Sequence, residues 1–248
     1  MIHDITPVII AANAEHTMPE TLDSLEGFAE VVLYLNNSDD DTREIASGYS
    51  NVTVVDGAFM GFGPTKNRAV ECSGNDWVLS LDSDEVASPE LCRELASLEL
   101  KDPNEVFIIK RDNYLLGKVV RHGGWGKDYL LRLYNRTMHR FNDNEVHESV
   151  QVKETTVQIR LKNSFKHNAV TDLNQFLQKV MSYSDLASKD RQTRFFGSVL
   201  LRAQFAFFKS YVLRLGFLEG WRGVVIAVSE FNGRFFRYAK RYLNEKER

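Results

Sequence analysis

Over its first 112 residues the chain alternates short β-rich runs with helical stretches, and this alternation restricts its fold more than any other feature. Strand character is read at residues 6–12, 30–35, 52–55, 77–81 and 106–112, where β-branched, leucine and aromatic side chains gather. Helical stretches are read between them, at residues 18–28, 41–47, 63–71 and 89–97. Pro19 and Pro89 fall in first turns, where an absent N–H does no harm. Strand and helix in turn at this spacing imply a mostly parallel sheet covered on both faces. Ligands of such sheets gather beyond the carboxyl ends of the strands.

One strand end stands out. Residues 77–85 read WVLSLDSDE, an apolar run that stops in three carboxylates. Asp82 and Asp84 are two apart, so on an extended chain they project the same way. Carboxylate oxygens are the donors that hard divalent cations prefer. The pair is therefore suited to hold Mn²⁺ or Mg²⁺ against a diphosphate, with Ser83 between them. Taken alone, the same three residues would also serve as a solvated acidic turn ahead of the helix at Pro89.

The remainder is organised differently. Residues 113–161 are less regular and hold a glycine-rich loop, RHGGWGKD at 121–128, a strand-like run at 129–134, and the stretch 141–148. Long irregular segments in compact domains usually carry function. From Asp172 onward the pattern turns helical, with Leu201, Phe205, Phe208 and Val212 on one apolar stripe. Residues 191–248 contain 12 Lys/Arg against 4 Asp/Glu, in a chain whose net charge is −3. Thirteen aromatic residues share that stretch. A basic, aromatic tail on an acidic body points to an anionic surface as partner. Cys72 and Cys92 show no metal-ligand spacing and read as reduced thiols. The N-terminus lacks the pattern of a signal peptide, and no apolar run approaches the roughly 18 residues needed to span a bilayer. The expectation is a cytoplasmic protein.

The ordered set of motifs resembles glycosyltransferase family 2 with the GT-A (nucleotide-diphospho-sugar transferase) fold. It is most similar to the branch of β-1,4-glucosyltransferases that build lipopolysaccharide cores. The residues carrying the resemblance are VIIAANAE at 8–15, SDDDT at 38–42, Lys66-Asn67, residues 77–85, HGGW at 122–125, LLRLY at 130–134, VHE at 146–148, His167 and GFLEG at 216–220. They are collinear over nearly the whole chain. One position departs from the family pattern. Where the second strand usually ends in an Asp that contacts uracil, this chain has Leu35 followed by Asn36-Asn37.

The resemblance implies an inverting, metal-dependent hexosyltransferase. Its donor would be a UDP-sugar and its acceptor a lipid-linked glycan. Residues 1–170 would be the catalytic domain, with a nucleotide-sugar half to about 112 and an acceptor half beyond. Residues 171–248 would be a helical region resting on the inner face of the cytoplasmic membrane. Glu148 is the expected base, with His147 as competitor. Asp84 is the expected metal ligand, Asp82 lies near both ion and ribose, and His167 is a possible third ligand. Ala12, Asn13, Glu15, Asn36, Asp40, Lys66 and Asn67 are assigned to the nucleotide-sugar side. Trp125, Asp128, Arg132 and His147 fall on the acceptor side, Trp125 as a flat sugar platform and Arg132 as a clamp for a phosphate or carboxylate. Two other readings are a sugar-nucleotide nucleotidyltransferase and a non-enzymatic membrane-surface module. The first normally carries a glycine-rich basic loop where this chain has IAANAE at 10–15. Nucleic acid is not an expected partner, because the basic tail carries no reading motif. Oligomeric state is left open.

Overall fold

The computed structural model describes residues 1–144, 148–170, 172–186, 188 and 196–246. They fall into two compact units, Met1–Arg111 with Tyr129–His167, and Asp112–Asp128 with Asn168–Arg248.

In the first unit the strand–helix alternation is realised as β1 (Ile5–Ala11), α1 (Met18–Asp23), β2 (Val31–Leu35), α2 (Thr42–Ser47), β3 (Val52–Asp56), α3 (Phe62–Glu71), β4 (Trp77–Asp82), β5 (Glu85–Ala87) and α4 (Pro89–Ala96). Then come β6 (Glu105–Leu115), the two-residue β7 (Lys118–Val119), β8 (Tyr129–Asn135) and β9 (Val157–Val170). The sheet runs in the order β3-β2-β1-β4-β8-β6-β9-β5, and β7 pairs with β6. Its first four strands are parallel. From there β8 pairs antiparallel with β4 and β6, and β9 antiparallel with β5. The helix read at 18–28 is shorter than its pattern, because the chain turns after Asp23.

β4 explains the placement of the site. Trp77, Leu79 and Leu81 face one buried cluster with Ile5, Ile9, Leu33, Met18 and Leu91. Val78 faces the other, with Val8, Val32, Tyr34, Ala69 and Tyr134. A strand buried on both faces favours apolar residues throughout, which the sequence supplies up to Asp82 except at the small, buried Ser80. The strand ends where its carboxylates begin.

β9 escaped the sequence reading. Its residues Val157, Ile159, Leu161, Phe165 and His167 alternate with Gln158, Arg160, Lys162, Ser164 and Lys166, a period of two. Only part of that alternation is apolar on a buried face, which weakens the signal: Leu161 and Phe165 are buried while Val157 is exposed.

In the second unit the ends of β6 and β9, the residue after β7, and the helices α5 (Leu173–Leu186) and α7 (Trp221–Lys246) supply a small core of Leu115, Val120, Val170, Phe176 and Ile226, and α6 (Gly197–Phe208) packs on α7. Helix α6 widens into a π-helical turn at Lys209–Leu213, where the Arg214 N–H donates to Lys209 O, and a 3₁₀ turn, Gly216–Glu219, precedes α7. Glu219 holds the glycine-rich loop, accepting from the backbone N–H groups of Arg121 and His122 (both 3.0 Å) and lying 2.7 Å from His122 Nδ1. Among the described residues no helix is long and apolar enough to cross a membrane.

Leu79 is fully enclosed at the centre of β4. Leu79→Ala is expected to cost about 2–5 kcal/mol, since the packed sheet cannot collapse onto the vacated space. Urea unfolding measures the loss.

Candidate active site

Six charged side chains form a line of alternating sign beyond the end of β4. Glu148 Oε1 accepts from Lys66 Nζ at 2.9 Å, and the same Nζ donates to Asp82 Oδ1 at 2.8 Å. Asp82 Oδ2 accepts from Arg132 Nη2 at 2.7 Å, and that nitrogen also reaches Glu85 Oε1 at 2.6 Å. Arg111 closes the line, 3.2 Å from Glu85 Oε1. Glu85 is wholly buried, Lys66 is 3% exposed and Arg132 5%.

Each member is delivered by its element. Lys66 shares a helix face with Ala69 and Val70, the buried side of α3. Arg132 comes from β8 and Arg111 from β6, strands that pair with each other. Glu85 Oε2 accepts the Asp82 backbone N–H at 3.0 Å, closing the turn between β4 and β5. The energetics follow from enclosure. Charges out of water are tolerated only when neighbours of opposite sign replace the lost hydration. Burial pushes Asp82 upward, yet Arg132 and Lys66 pull harder and hold its carboxyl well below the usual carboxylate range. Glu85 moves the other way. Burial, joined by the charge of Asp82, raises it against the pull of Arg132 and Arg111. Burial lowers Arg132, but the two carboxylates outweigh it and the guanidinium is held more firmly protonated.

The turn corrects one expectation. Asp82 and Asp84 do not project together, because β4 ends at Asp82 and the chain turns through Ser83 and Asp84. Asp82 faces Lys66 and Arg132, while Asp84 Oδ2 lies 3.3 Å from His167 Nε2. His167 gets there because β9 pairs with β5 in a register that sets it opposite Glu85. A carboxylate oxygen and an imidazole nitrogen side by side are a donor set compatible with Mn²⁺. The Asp82 oxygens are instead taken by cations. Among the described residues no three His, Cys, Asp or Glu side chains converge at ligating distance. Asp84 and His167 supply two such donors, and Asp82 does not join them here.

Glu148 is carried by a paired arm. Phe141 and Val150 bridge antiparallel, the Asn142 N–H donates to Ser149 O at 2.9 Å, and the Gln151 N–H to Arg140 O at 2.8 Å. Asn67 clasps this arm. Its Nδ2 donates to Phe141 O at 3.0 Å and its Oδ1 accepts from the Phe141 N–H at 2.9 Å. A Cβ on Gly63 would stand 2.0 Å from Asn142 O, so the start of α3 approaches the arm more closely than any side chain permits. Asn67 thus clasps the backbone of this arm. Lys66, expected to reach a diphosphate, is committed to two carboxylates. Arg132, expected to clamp an acceptor, is enclosed and paired with Asp82 and Glu85. His147 lies outside the described residues.

The loops after β1 and β2 lock together. The N–H groups of Asn13, Ala14 and Glu15 donate to Ser38 Oγ, Thr42 Oγ1 and Asp40 Oδ2 at 2.8–3.0 Å. Return bonds run from Asp39 N–H to Asn13 Oδ1 at 3.0 Å and from Asp41 N–H to Glu15 Oε2 at 3.2 Å. Desolvation raises Asp40, but hydrogen bonds from the Thr42 hydroxyl and from the backbone of Glu15 and Thr42 outweigh it and lower its carboxyl. Ala12 is exposed at the start of this rim. Asn36 is buried beside it, and its Oδ1 has no hydrogen-bond partner among the described residues. Thr21 Oγ1 donates to the Ser83 carbonyl at 3.1 Å.

In the second unit, Trp125 packs edge-on against Phe176 with centroids 5.5 Å apart, and Asp128 accepts from Asn113 Nδ2 at 3.0 Å. Both are engaged in that unit's own packing. Sequence reasoning missed Arg111 and any role for Glu85. The signal was present, since Lys110-Arg111-Asp112 puts charge into a run that opens Val106-Phe-Ile-Ile109.

The parallel strands β3-β2-β1-β4, continued by antiparallel β8, β6 and β9 and carrying this charged cluster beyond the end of β4, give the architecture of an α/β sheet covered by helices. The chain belongs to glycosyltransferase family 2 and has its GT-A fold, for the profile described as glycosyl transferase family 2 matches residues 6–167. An uncharacterized glycosyltransferase of Rickettsia typhi is 27% identical over 98% of this chain and 89% of its own length. One of Rickettsia prowazekii is 26% identical over 95% and 86%. Among solved structures, TarS of S. aureus in complex with UDP-GlcNAc is similar at a TM-score of 0.48 and 16% identity, over 93% of this chain and 81% of that one. Glucosyl-3-phosphoglycerate synthase of Mycobacterium tuberculosis, with Mn²⁺, UDP and glucosyl-3-phosphoglycerate, gives 0.44 and 16% over 74% and 77%.

Asp82 supplies a pH test. Its carboxyl is lowered on folding, so its stabilisation is whole above the ordinary value of 3.8 and declines as pH falls below it toward the folded value. The stability gap between the native chain and Asp82→Asn should be wide at neutral pH and shrink below 3.8, as read by urea unfolding across a pH series.

Proposed function

We propose that this chain moves a hexose, glucose by preference, from a UDP-sugar to a lipid-linked glycan of the lipopolysaccharide-core type, with inversion at the anomeric carbon. The observation that carries this reading is the double hold of Lys66, which ties Glu148 to Asp82 at the open end of the sheet. A base and a donor-side carboxylate fixed to one another meet the positional demand of a one-step displacement.

Glu148 takes the proton of the acceptor hydroxyl on the oxygen that Lys66 does not hold. Lys66 keeps that carboxylate at a set distance from the donor side. Asn36 Oδ1, enclosed and short of a donor, supports recognition of the imide N–H of a uracil ring. Ala12, Asn13, Glu15 and Asp40 border the base and ribose on the interlocked loops. Asp84 and His167 would hold Mn²⁺ or Mg²⁺, which when bound neutralises the charge gathering on the departing diphosphate. The charge count supports a need for it. Three carboxylates already face three cations in the cluster, so Lys66, Arg111 and Arg132 offer a diphosphate no surplus positive charge. His147, adjacent to Glu148 in sequence, is retained on the acceptor side. The basic, aromatic helices α6 and α7 expose Leu201, Phe205, Phe208 and Trp221, which supports residence on the inner face of the cytoplasmic membrane, where a lipid-linked acceptor would lie.

Glu148→Gln is expected to lower transfer about 10²–10⁴-fold while leaving UDP-sugar binding intact. Near-normal turnover by that variant sinks the assignment. A thermal-shift screen of nucleoside diphosphates and their sugars, with and without Mn²⁺, identifies the donor class, because a ligand bound only by the native state raises its stability. UDP-sugars should give the largest shift. The Mn²⁺-dependent part should disappear in Asp84→Asn and His167→Ala and on chelation with EDTA. An equal response to every nucleotide, or one indifferent to Asp84 and His167, would contradict it.

A further inference from the structure

The second unit holds a groove between α6 and α7 with a volume of about 720 Å³. Small-ligand sites commonly span about 300–1,000 Å³. Five cations line it, Arg202, Lys209, Arg214, Arg234 and Arg237, against the single carboxylate of Glu230. Glu230 is itself partly withdrawn. Burial pushes its carboxyl upward against the pull of Arg214 and Arg234, it hydrogen-bonds Ser210, and its Oε1 occupies the space a Gly124 side chain would need.

Arg237 shows the imbalance most directly. Its Nε is buried and has no hydrogen-bond partner among the described residues. Burial and the like charges of Arg234 and Arg241 lower its hold on its proton. A buried guanidinium nitrogen among cations is costly unless an anion meets it. Arg202 is meanwhile pre-set, its guanidinium 4.9 Å from the Tyr238 ring centroid and its Nη1 donating to Tyr238 Oη at 3.4 Å. A stacked, planar fork matches a phosphate in geometry as well as charge.

The lip of the groove decides between a soluble anion and an amphiphile. Leu201 and Phe205 line it and are 66% and 58% exposed. With Phe208 and Val212, also exposed, they form one stripe at helical spacing. An anion site that opens onto an exposed apolar stripe suits a ligand with a phosphate at one end and hydrocarbon at the other.

We propose that the α6–α7 groove binds the phosphate head group of an anionic membrane lipid bearing a terminal phosphomonoester, its acyl chains lying along Leu201, Phe205 and Phe208. This rests on the reading that α6 and α7 meet a membrane, and it adds a discrete headgroup site to a general surface attraction.

The test uses the full chain with two sets of phosphatidylcholine vesicles, one carrying phosphatidic acid and the other phosphatidylserine at matched surface charge. The native chain should prefer phosphatidic acid. Arg234→Gln/Arg237→Gln should lose roughly tenfold in affinity for those vesicles and little for phosphatidylserine, with its UDP-induced thermal shift unchanged. If that pair does not fold, Arg202→Gln on the exposed rim reports the same selective loss. Equal binding to both vesicles, unaltered by the substitutions, overturns the headgroup site and leaves the membrane reading standing. Binding to neither at low salt overturns both. Inorganic phosphate that protects the chain against heat as well as dodecyl phosphate does, mole for mole, makes the groove a soluble-anion site and removes the lipid.

Discussion

Lys66 brings an ammonium to a position 3% exposed to water, and the open end of the first unit's sheet is built around that choice. With one partner alone, it would leave a carboxylate half-answered in a poorly hydrated place. Held by Asp82 and Glu148 together, it serves as the joint between β4 and the arm formed by residues 140–144 and 148–151. Arg132 repeats the arrangement one step deeper, between Asp82 and Glu85. Removing any inner member strands an enclosed charge, which in comparable settings costs about 3–5 kcal/mol.

The apolar framework explains why such a cluster holds its geometry. β4 is enclosed on both faces, and Phe141 of the arm packs edge to face on Tyr134 at 5.9 Å. Asn67 and Gly63 then fix the arm to α3 through backbone contacts, which do not depend on any flexible side chain of the arm itself. The position of Glu148 is therefore set by residues other than those that the proposed scheme places against substrate.

The parallel part of the fold was legible because it is written in period. β1, β2, β3 and β4 each appear as a short apolar run, and each helix between them has a helical stripe or a proline start. Glu148, Asp84 and His167 were singled out through the order of motifs, and the structure sets Glu148 on Lys66 and Asp84 beside His167. What stayed hidden was direction. A two-residue spacing predicts a shared side only while the chain remains extended, and the turn at Ser83–Asp84 sends Asp82 and Asp84 to different partners. Lys66, Asn67 and Arg132 were singled out by type and place, yet their partners are 16, 74 and 50 residues away in sequence. Local pattern carries no information about contacts of that range. β9 shows the converse, a periodic signal blurred because one face of the strand is only partly apolar.

Alternation of sign has a bearing on how this protein can diverge. A neutral replacement of Arg132 alone leaves Asp82 and Glu85 repelling one another in an enclosed space, whereas a joint replacement of Arg132 and Glu85 by apolar residues of similar bulk does not. Viable lineages should therefore show these positions drifting as correlated sets, with an ancestral charge retained until its neighbour is also released.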